Sequence, residues 1–149
     1  MKNYSFVPDI MFENALDIEP DFLIAKGIRA VILDIDNTLV TYGVAEPTEE
    51  VIAWIDALKS AGLGVAIASN NHAPRVDLFN QKIGVFATCE SKKPSSKAVK
   101  AACEHFCLKP EETAVIGDQI FTDVWCARNA GALAILVKPI PYPENLFFK

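Results

Sequence analysis

Short runs of Val, Ile, Ala and Leu recur along the chain without the polar alternation of a half-exposed strand. Such runs are typical of strands that helices cover on both faces, as in a parallel sheet. They lie at residues 30–33, 63–68, 85–88, 114–116 and 134–137. The pattern therefore predicts a central parallel sheet, and the polar residues that follow each strand become the first candidates for a binding site.

Helical patterns separate these runs. Val51, Ile55 and Leu58 repeat at helical spacing after Thr48, and Gly62 ends the pattern. Three further helical faces are formed by Val76, Phe79 and Ile83, by Val99, Cys103 and Phe106, and by residues 121–130. With 149 residues and no internal repeat or linker, the chain is predicted to be one domain over residues 1–149. Its expected fold is α/β, a doubly wound, three-layer α/β/α Rossmann-like arrangement with the ligand site beyond the carboxyl ends of the strands.

Composition narrows the function classes. Hydrophobic residues make up 51% of the chain and charged residues 22%, unlike a disordered protein. The net charge of -5 gives no overall positive field, so the sequence offers no support for nucleic-acid binding. No apolar run is long enough for a membrane-spanning helix, and the N-terminus lacks the apolar core of a secretory signal. The cysteines are predicted to be reduced and buried in a cytoplasmic protein; they are Cys89, Cys103, Cys107 and Cys126.

Two of the predicted strands end in pairs of aspartates. Asp34 and Asp36 follow the first run, and Asp118 and Asp123 follow the fourth. Carboxylates brought together at one sheet edge repel each other unless a cation relieves the repulsion, and an all-oxygen cluster favours Mg²⁺. Simpler roles remain open, namely an Asx-rich turn for the first pair, an N-cap for Asp118 and a first-turn acid for Asp123.

The second and third strands end in groups that can bind an anion. Ser69, Asn70 and Asn71 offer a hydroxyl and two amides just before a predicted helix. Lys93 follows the third strand, where its ammonium group would reach the same sheet edge as a point charge for a phosphoryl group. Taken singly, the first segment would be an ordinary turn and the lysine a solvated surface side chain. Their position after strand ends in one series favours the anion site.

In this order the residues resemble the haloacid dehalogenase (HAD) superfamily of phosphohydrolases. The matching motifs are an apolar strand followed by D-x-D-x-T-L at residues 34–39, a serine after a strand at 69, a lysine at 93, and G-D-x-x-x-x-D at 117–123. The runs at 69–71, 93–94 and 117–119 are also similar to a capless YqeG-like subgroup (subclass IIIA), which is related to a phosphatidylglycerophosphate phosphatase. The resemblance implies a HAD-type phosphatase, a phosphoric monoester hydrolase.

The resemblance also implies a mechanism. Asp34 would be the nucleophile that forms an aspartyl-phosphate, and Asp36 would be the general acid and base. Ser69 and Lys93 would bind the equatorial phosphoryl oxygens. The Mg²⁺ site would be formed by Asp34, the backbone carbonyl of Asp36, Asp118 and Asp123, with Asp123 expected to orient Lys93 or a water.

The short segments between the motifs predict an open site. From Asp34 to Ser69, and from Ser69 to Lys93, the chain has room for one helix and one strand, so no cap domain is expected. An open site suits a phosphate presented on a protein, a nucleic acid or a lipid headgroup. The expected substrate is a phospholipid headgroup, a phosphoprotein or a small phosphoester. The residues predicted to bind substrate are Thr38, Asn70, Asn71 and Arg75, of which Asn71 and Arg75 are expected at the leaving group, with Arg75 in solvent as the alternative.

Two other kinds of protein share parts of this pattern. A phospho-receiver module has a doubly wound fold and acidic strand ends, but its acceptor aspartate follows the third strand, where this chain has Cys89 and Glu90. An interaction protein that keeps the fold with weak catalysis stays open, although the full set of motif residues argues against it. The Pro-rich, aromatic tail at 139–149 leaves open a peripheral membrane contact or a homodimer.

Overall fold

The computed structural model describes residues 7–41, 44–93 and 95–140. Its strands are β1 (Ile10–Phe12), β2 (Ala30–Leu33), β3 (Gly64–Ala68), β4 (Phe86–Thr88), β5 (Thr113–Gly117) and β6 (Leu133–Val137). Its helices are α1 (Pro20–Ala25), α2 (Glu49–Ser60), α3 (Ala73–Asn80), α4 (Lys97–Phe106) and α5 (Trp125–Ala130). The six strands form one sheet in the order β1-β6-β5-β2-β3-β4, and every pair is parallel.

The strand order places the functional strands side by side. β2 lies between β3 and β5, and Leu33 at its carboxyl end is paired with Ile67 on one side and Ile116 on the other. The chain leaves β2 toward β3 and β4, then crosses over to β5 on the opposite side of β2. This reversal creates a crevice at the carboxyl ends of β2 and β5, which is where doubly wound folds bind their ligands.

Helices cover both faces of the sheet, which confirms the predicted three layers. Val31 and Leu33 point to the face covered by α1, α2 and α3, whereas Ile32 points to the face covered by α4 and α5. The buried runs without polar alternation follow from this arrangement, because each strand needs apolar side chains on both sides. Within the described segments between β2 and β3, α2 is the one regular helix, so that part of the fold carries no inserted cap domain.

The N-terminal elements were not predicted from the sequence. β1 joins the sheet beside β6, and Asp9 ties it down by accepting a hydrogen bond from the backbone of Ala134 at 2.8 Å and by pairing with Arg128 at 2.8 Å. A three-residue strand has too little periodicity to be recognised, and its partner lies more than a hundred residues away in the chain.

Two further expectations needed correction. Cys103 and Cys126 are buried as predicted, but Cys89 is half-buried and Cys107 is exposed at the left-handed end of α4. The predicted helix at 121–130 begins instead with a wide turn of π-helix at Ile120–Val124 before α5.

Within the described residues no helix is both long and apolar enough to cross a membrane. Most of the tail singled out for membrane or dimer contact, residues 141–149, lies outside the described residues.

Candidate active site

The loop after β2 folds back over the sheet edge. The backbone N–H of Asp34 still donates to the carbonyl of Ile116 in β5 at 3.1 Å, and the carbonyl of Ile35 then accepts from Leu39 at 2.9 Å. Asn37 permits this tight turn with a positive φ of 63°, which asparagine tolerates better than most residues. Asp34 and Asp36 therefore both stand at the carboxyl edge of the sheet.

Three carboxylates meet beside this loop. One oxygen each from Asp34, Asp118 and Asp123 lies within 4.8 Å of the others. The Thr38 hydroxyl lies 3.1 Å from both Asp34 Oδ2 and Asp118 Oδ1, so it braces two members of the group. Burial, followed by the charges of Asp34 and Asp123, raises the pKa of Asp118 to about 7. Burial also raises the pKa of Asp123 to about 6, although Lys93 opposes that shift.

This cluster fits a hard divalent cation. Its donors are all oxygens, and the raised pKa values of Asp118 and Asp123 indicate that the folded protein disfavours the negative charge on these two carboxylates. A cation among them would remove that penalty. The Asp36 side chain lies outside the cluster, so only its backbone remains for the metal contact that the sequence resemblance implies.

Asp123 reaches the cluster because of a local irregularity in the chain. The π turn Ile120–Val124 directs its carboxylate back toward the end of β5, where Oδ2 accepts from the N–H of Gln119 at 3.2 Å. The carboxyl group then packs directly over Gly117, in space that any Cβ at that position would occupy. The G-D-x-x-x-x-D motif therefore requires glycine at this position, because the Asp123 carboxyl group leaves no room for a side chain.

Lys93 is the buried cation of the site. Its ammonium nitrogen lies 3.0 Å from Asp34 Oδ1 and 2.5 Å from Asp123 Oδ1. Burial by itself lowers the pKa of Lys93, but the charges of Asp123 and Asp34 outweigh it and raise the pKa above its usual value. Asn70 holds the backbone of this lysine, because its Oδ1 accepts from the Lys93 N–H at 2.8 Å and its Nδ2 donates to the Lys93 carbonyl at 3.4 Å.

Asp34, Asp36, Asn70 and Lys93 line one cavity of about 320 Å³. Ser69 at the end of β3 lines it, and the Ser69 hydroxyl accepts from the N–H of Asn71 at 3.0 Å. Gln119 and Thr122 also line it, with the Thr122 hydroxyl donating to Gln119 Oε1 at 2.9 Å. Sequence reasoning did not select these two residues, although their place inside the second acidic motif was a usable signal.

Asn71 and Arg75, predicted at the leaving group, both contact Asp36. Arg75 Nη2 donates to Asp36 Oδ1 at 2.8 Å, and Asn71 Nδ2 donates to Asp36 Oδ2 at 3.3 Å. Asn71 lines the cavity and remains a candidate for substrate contact. The Arg75 guanidinium instead spans from Asp36 to the carbonyl of Ala45 at 3.3 Å.

The chain is similar in sequence to known phosphatases and in fold to a known hydrolase. Residues 1–140 match the model of a family described as mitochondrial PGP phosphatase. The chain is 37% identical over 135 residues to the probable phosphatase YqeG of Bacillus subtilis, covering 91% of this chain and 78% of that protein. It is 25% identical over 159 aligned residues to phosphatidylglycerophosphate phosphatase 1, chloroplastic/mitochondrial, of Arabidopsis thaliana, covering 99% of this chain and 45% of that protein. A HAD-superfamily hydrolase from Geobacter sulfurreducens has the same fold, with a TM-score of 0.55, 17% identity, and coverage of 79% of this chain and 90% of that one.

Proposed function

Because the chain belongs to the family described as mitochondrial PGP phosphatase, and is thus a phosphatase with the HAD fold, we propose that it hydrolyses phosphomonoesters with Mg²⁺ through an aspartyl-phosphate intermediate. The observation that carries the proposal is the meeting of Asp34, Asp118, Asp123 and Lys93 beside an open cavity that Asp34 and Lys93 line. A phosphomonoester is an anion, and an anionic nucleophile can approach it only where cations offset the repulsion.

In the first step Asp34 attacks phosphorus. A bond forms between an Asp34 carboxylate oxygen and phosphorus while the bond to the leaving oxygen breaks, and Asp36 gives its proton to that oxygen. Asp34 and Asp36 both line the cavity, which supports these roles. Lys93 and Ser69 bind the oxygens of the phosphoryl group, and Lys93 already lies 3.0 Å from the nucleophile.

In the second step water hydrolyses the aspartyl-phosphate. Asp36 takes a proton from the water as its oxygen bonds to phosphorus, and the bond from phosphorus to Asp34 breaks, releasing inorganic phosphate. Asp36 is then protonated again and ready for the next leaving group. Asp34 and Asp118, with Asp123 beside them, would hold Mg²⁺, which when bound neutralises charge on the nucleophile and the phosphoryl group.

We further propose a phosphate carried on a lipid headgroup as the substrate class, with phosphatidylglycerophosphate as the first compound to test. The named activity of the Arabidopsis relative and the description of the family model support this choice. The open cavity and the absence of a cap in the described segments between β2 and β3 are compatible with a phosphate presented at a surface. A phosphoprotein or a small phosphoester is the alternative.

The chemistry is tested by hydrolysis of para-nitrophenyl phosphate with Mg²⁺ and with chelator. Turnover should require the metal and should be lost in Asp34→Asn, whereas Asp21→Asn, an exposed carboxylate on α1, should keep it. Acid quenching during turnover should trap one phosphoryl group on the peptide that contains Asp34. Turnover that survives in Asp34→Asn, or a phosphoryl group on another residue, would contradict the mechanism.

The substrate class is tested by competition among phosphoesters. Vesicles containing phosphatidylglycerophosphate should give a higher kcat/KM than a phosphopeptide or glycerol phosphate. Equal values would remove the lipid preference and leave the general phosphatase. If none of the three is hydrolysed and the chain binds Mg²⁺ normally, an interaction protein that has kept the fold becomes the better description.

A further inference from the structure

The carboxyl group proposed as general acid and base is held at both oxygens. Asp36 Oδ1 accepts from Arg75 Nη2 at 2.8 Å, and Oδ2 accepts from Asn71 Nδ2 at 3.3 Å. The Asp36 and Arg75 side chains are only 18% and 15% exposed, so solvent screens this pair far less than an ordinary surface ion pair. The orientation of the carboxyl group is therefore set by its neighbours rather than by water.

Contacts other than the one with Asp36 also hold Arg75 in place. It lies on α3, with its guanidinium carbon 5.5 Å from the centre of the Phe79 ring one turn later. A second nitrogen, Nη1, donates to the carbonyl of Ala45 at 3.3 Å. A side chain restrained at these two points keeps its position at little further entropic cost, which makes it a rigid support for Asp36.

Two observations separate this role from leaving-group binding and from simple packing. The cavity is lined by Asp36 and Asn71, whereas Arg75 lies behind Asp36. The Nε of Arg75 is buried with no hydrogen-bond partner among the described residues. A buried donor without an acceptor lowers stability, so an arginine is a poor choice for a position that only packs.

We propose that Arg75 is a positioning residue for the general acid, orienting the Asp36 carboxyl group toward the leaving oxygen. The inference rests on the proposed function, since it needs Asp36 to deliver a proton. It replaces the expectation that Arg75 touches the leaving group. Arg75 acts on the reaction only through Asp36.

Leaving-group chemistry provides the test. Phenol is a more basic leaving group than para-nitrophenol, so hydrolysis of phenyl phosphate depends more on a general acid than hydrolysis of para-nitrophenyl phosphate. In Arg75→Met, kcat/KM for phenyl phosphate should fall about tenfold or more, and the value for the nitrophenyl ester should fall much less. Arg75→Lys should recover part of the loss because it restores a donor near Asp36.

The ratio of the two kcat/KM values, measured on one preparation, does not depend on how much of the variant is folded. A merely structural role for Arg75 would lower both values equally and leave the ratio unchanged. Lys82→Met is the matched control. The exposed Lys82–Glu46 ion pair of 2.6 Å also joins the region of α3 to the segment before α2, but it does not touch Asp36.

Each outcome distinguishes a positioning role of Arg75 from a merely structural one. A changed ratio in Arg75→Met, partial recovery in Arg75→Lys and a wild-type ratio in Lys82→Met support the inference. An unchanged ratio in an active Arg75→Met variant, or the same change in Lys82→Met, overturns it and leaves the proposed function intact. If the wild-type protein hydrolyses neither ester with Mg²⁺, the proposed function fails and the inference falls with it.

Discussion

Replacing Gly117 by alanine should damage the site and the fold together. Gly117 ends β5, and the carboxyl group of the buried Asp123 occupies the space that a new methyl group would take. Gly117 has no positive φ, so the backbone itself would accept an alanine. The loss of stability and activity therefore depends on whether the Asp123 carboxyl group can move aside and keep its ion pair with Lys93.

The magnitude follows from three contributions. A compatible Gly→Ala change stabilises a protein by about 0.4–1 kcal/mol through the unfolded chain. Overpacking costs about 1–3 kcal/mol, and separating one partner from a buried ion pair costs about 3–5 kcal/mol. Because Lys93 keeps Asp34 as a second partner, the full ion-pair cost is an upper limit. We expect Gly117→Ala to lower the free energy of unfolding by about 3 kcal/mol.

Urea unfolding and steady-state hydrolysis measure the two effects, and Gly64→Ala is the matched control. Gly64 begins β3, which β2 separates from β5, and a Cβ there would come 2.9 Å from the Phe106 ring, far from the site. Gly64→Ala should lose about 1 kcal/mol of stability and keep its kcat. Gly117→Ala should lose kcat by about tenfold or more, which corresponds to only about 1.4 kcal/mol of transition-state stabilisation. Wild-type stability and kcat in Gly117→Ala would refute the placement of Asp123 over this glycine.

Three further predictions concern charge in the site. The raised pKa of Asp118, about 7 against 3.8 for a free carboxyl group, means that the folded metal-free protein binds more protons than the unfolded chain. Its free energy of unfolding in chelator should therefore fall as the pH rises from about 4 to about 7, and saturating Mg²⁺ should reduce this dependence. A pH-independent stability would contradict it. Lys93→Met should lower stability by about 3–5 kcal/mol in urea unfolding, because it leaves Asp123 buried and unpaired, and Mg²⁺ should restore part of the loss. Equal loss with and without Mg²⁺ would argue against a shared site. Asn70→Ala should cost about 1 kcal/mol and lower kcat by releasing the backbone of Lys93, so unchanged kinetics would show that this restraint is dispensable.

The four motif positions were predictable because three of them lie directly after a strand and Lys93 lies in the loop that follows β4. Asp34, Ser69, Lys93 and Asp118 need only parallel strands and their order in the chain to be brought to one edge of the sheet. The cluster of Asp34 with Asp118 follows from β2 and β5 being neighbours, and the acidic motifs already implied that pairing.

The supporting contacts were not predictable in the same way. The sequence places Arg75 four residues after Asn71 at a helix start, which is compatible with solvent, substrate or Asp36. Its contact with Asp36 depends on the path of α3 relative to the loop after β2. The expectation that Asn70 binds substrate stays a prediction, but its contacts with Lys93 join two loops that are separate in the chain.

The sequence by itself determined the layered α/β fold and the chemical inventory of the site, because hydrophobic pattern and strand-end polarity are local properties that survive any detail of packing. Only the tertiary structure decided where the side chains point. A π turn directs Asp123 back over Gly117, and Arg75 points to Asp36 rather than into the cavity. The tertiary structure also decided the edge strand β1, whose pairing with β6 connects opposite ends of the chain. Side-chain direction and long-range pairing depend on how the elements pack against each other, and packing is a property of the whole fold rather than of any one segment.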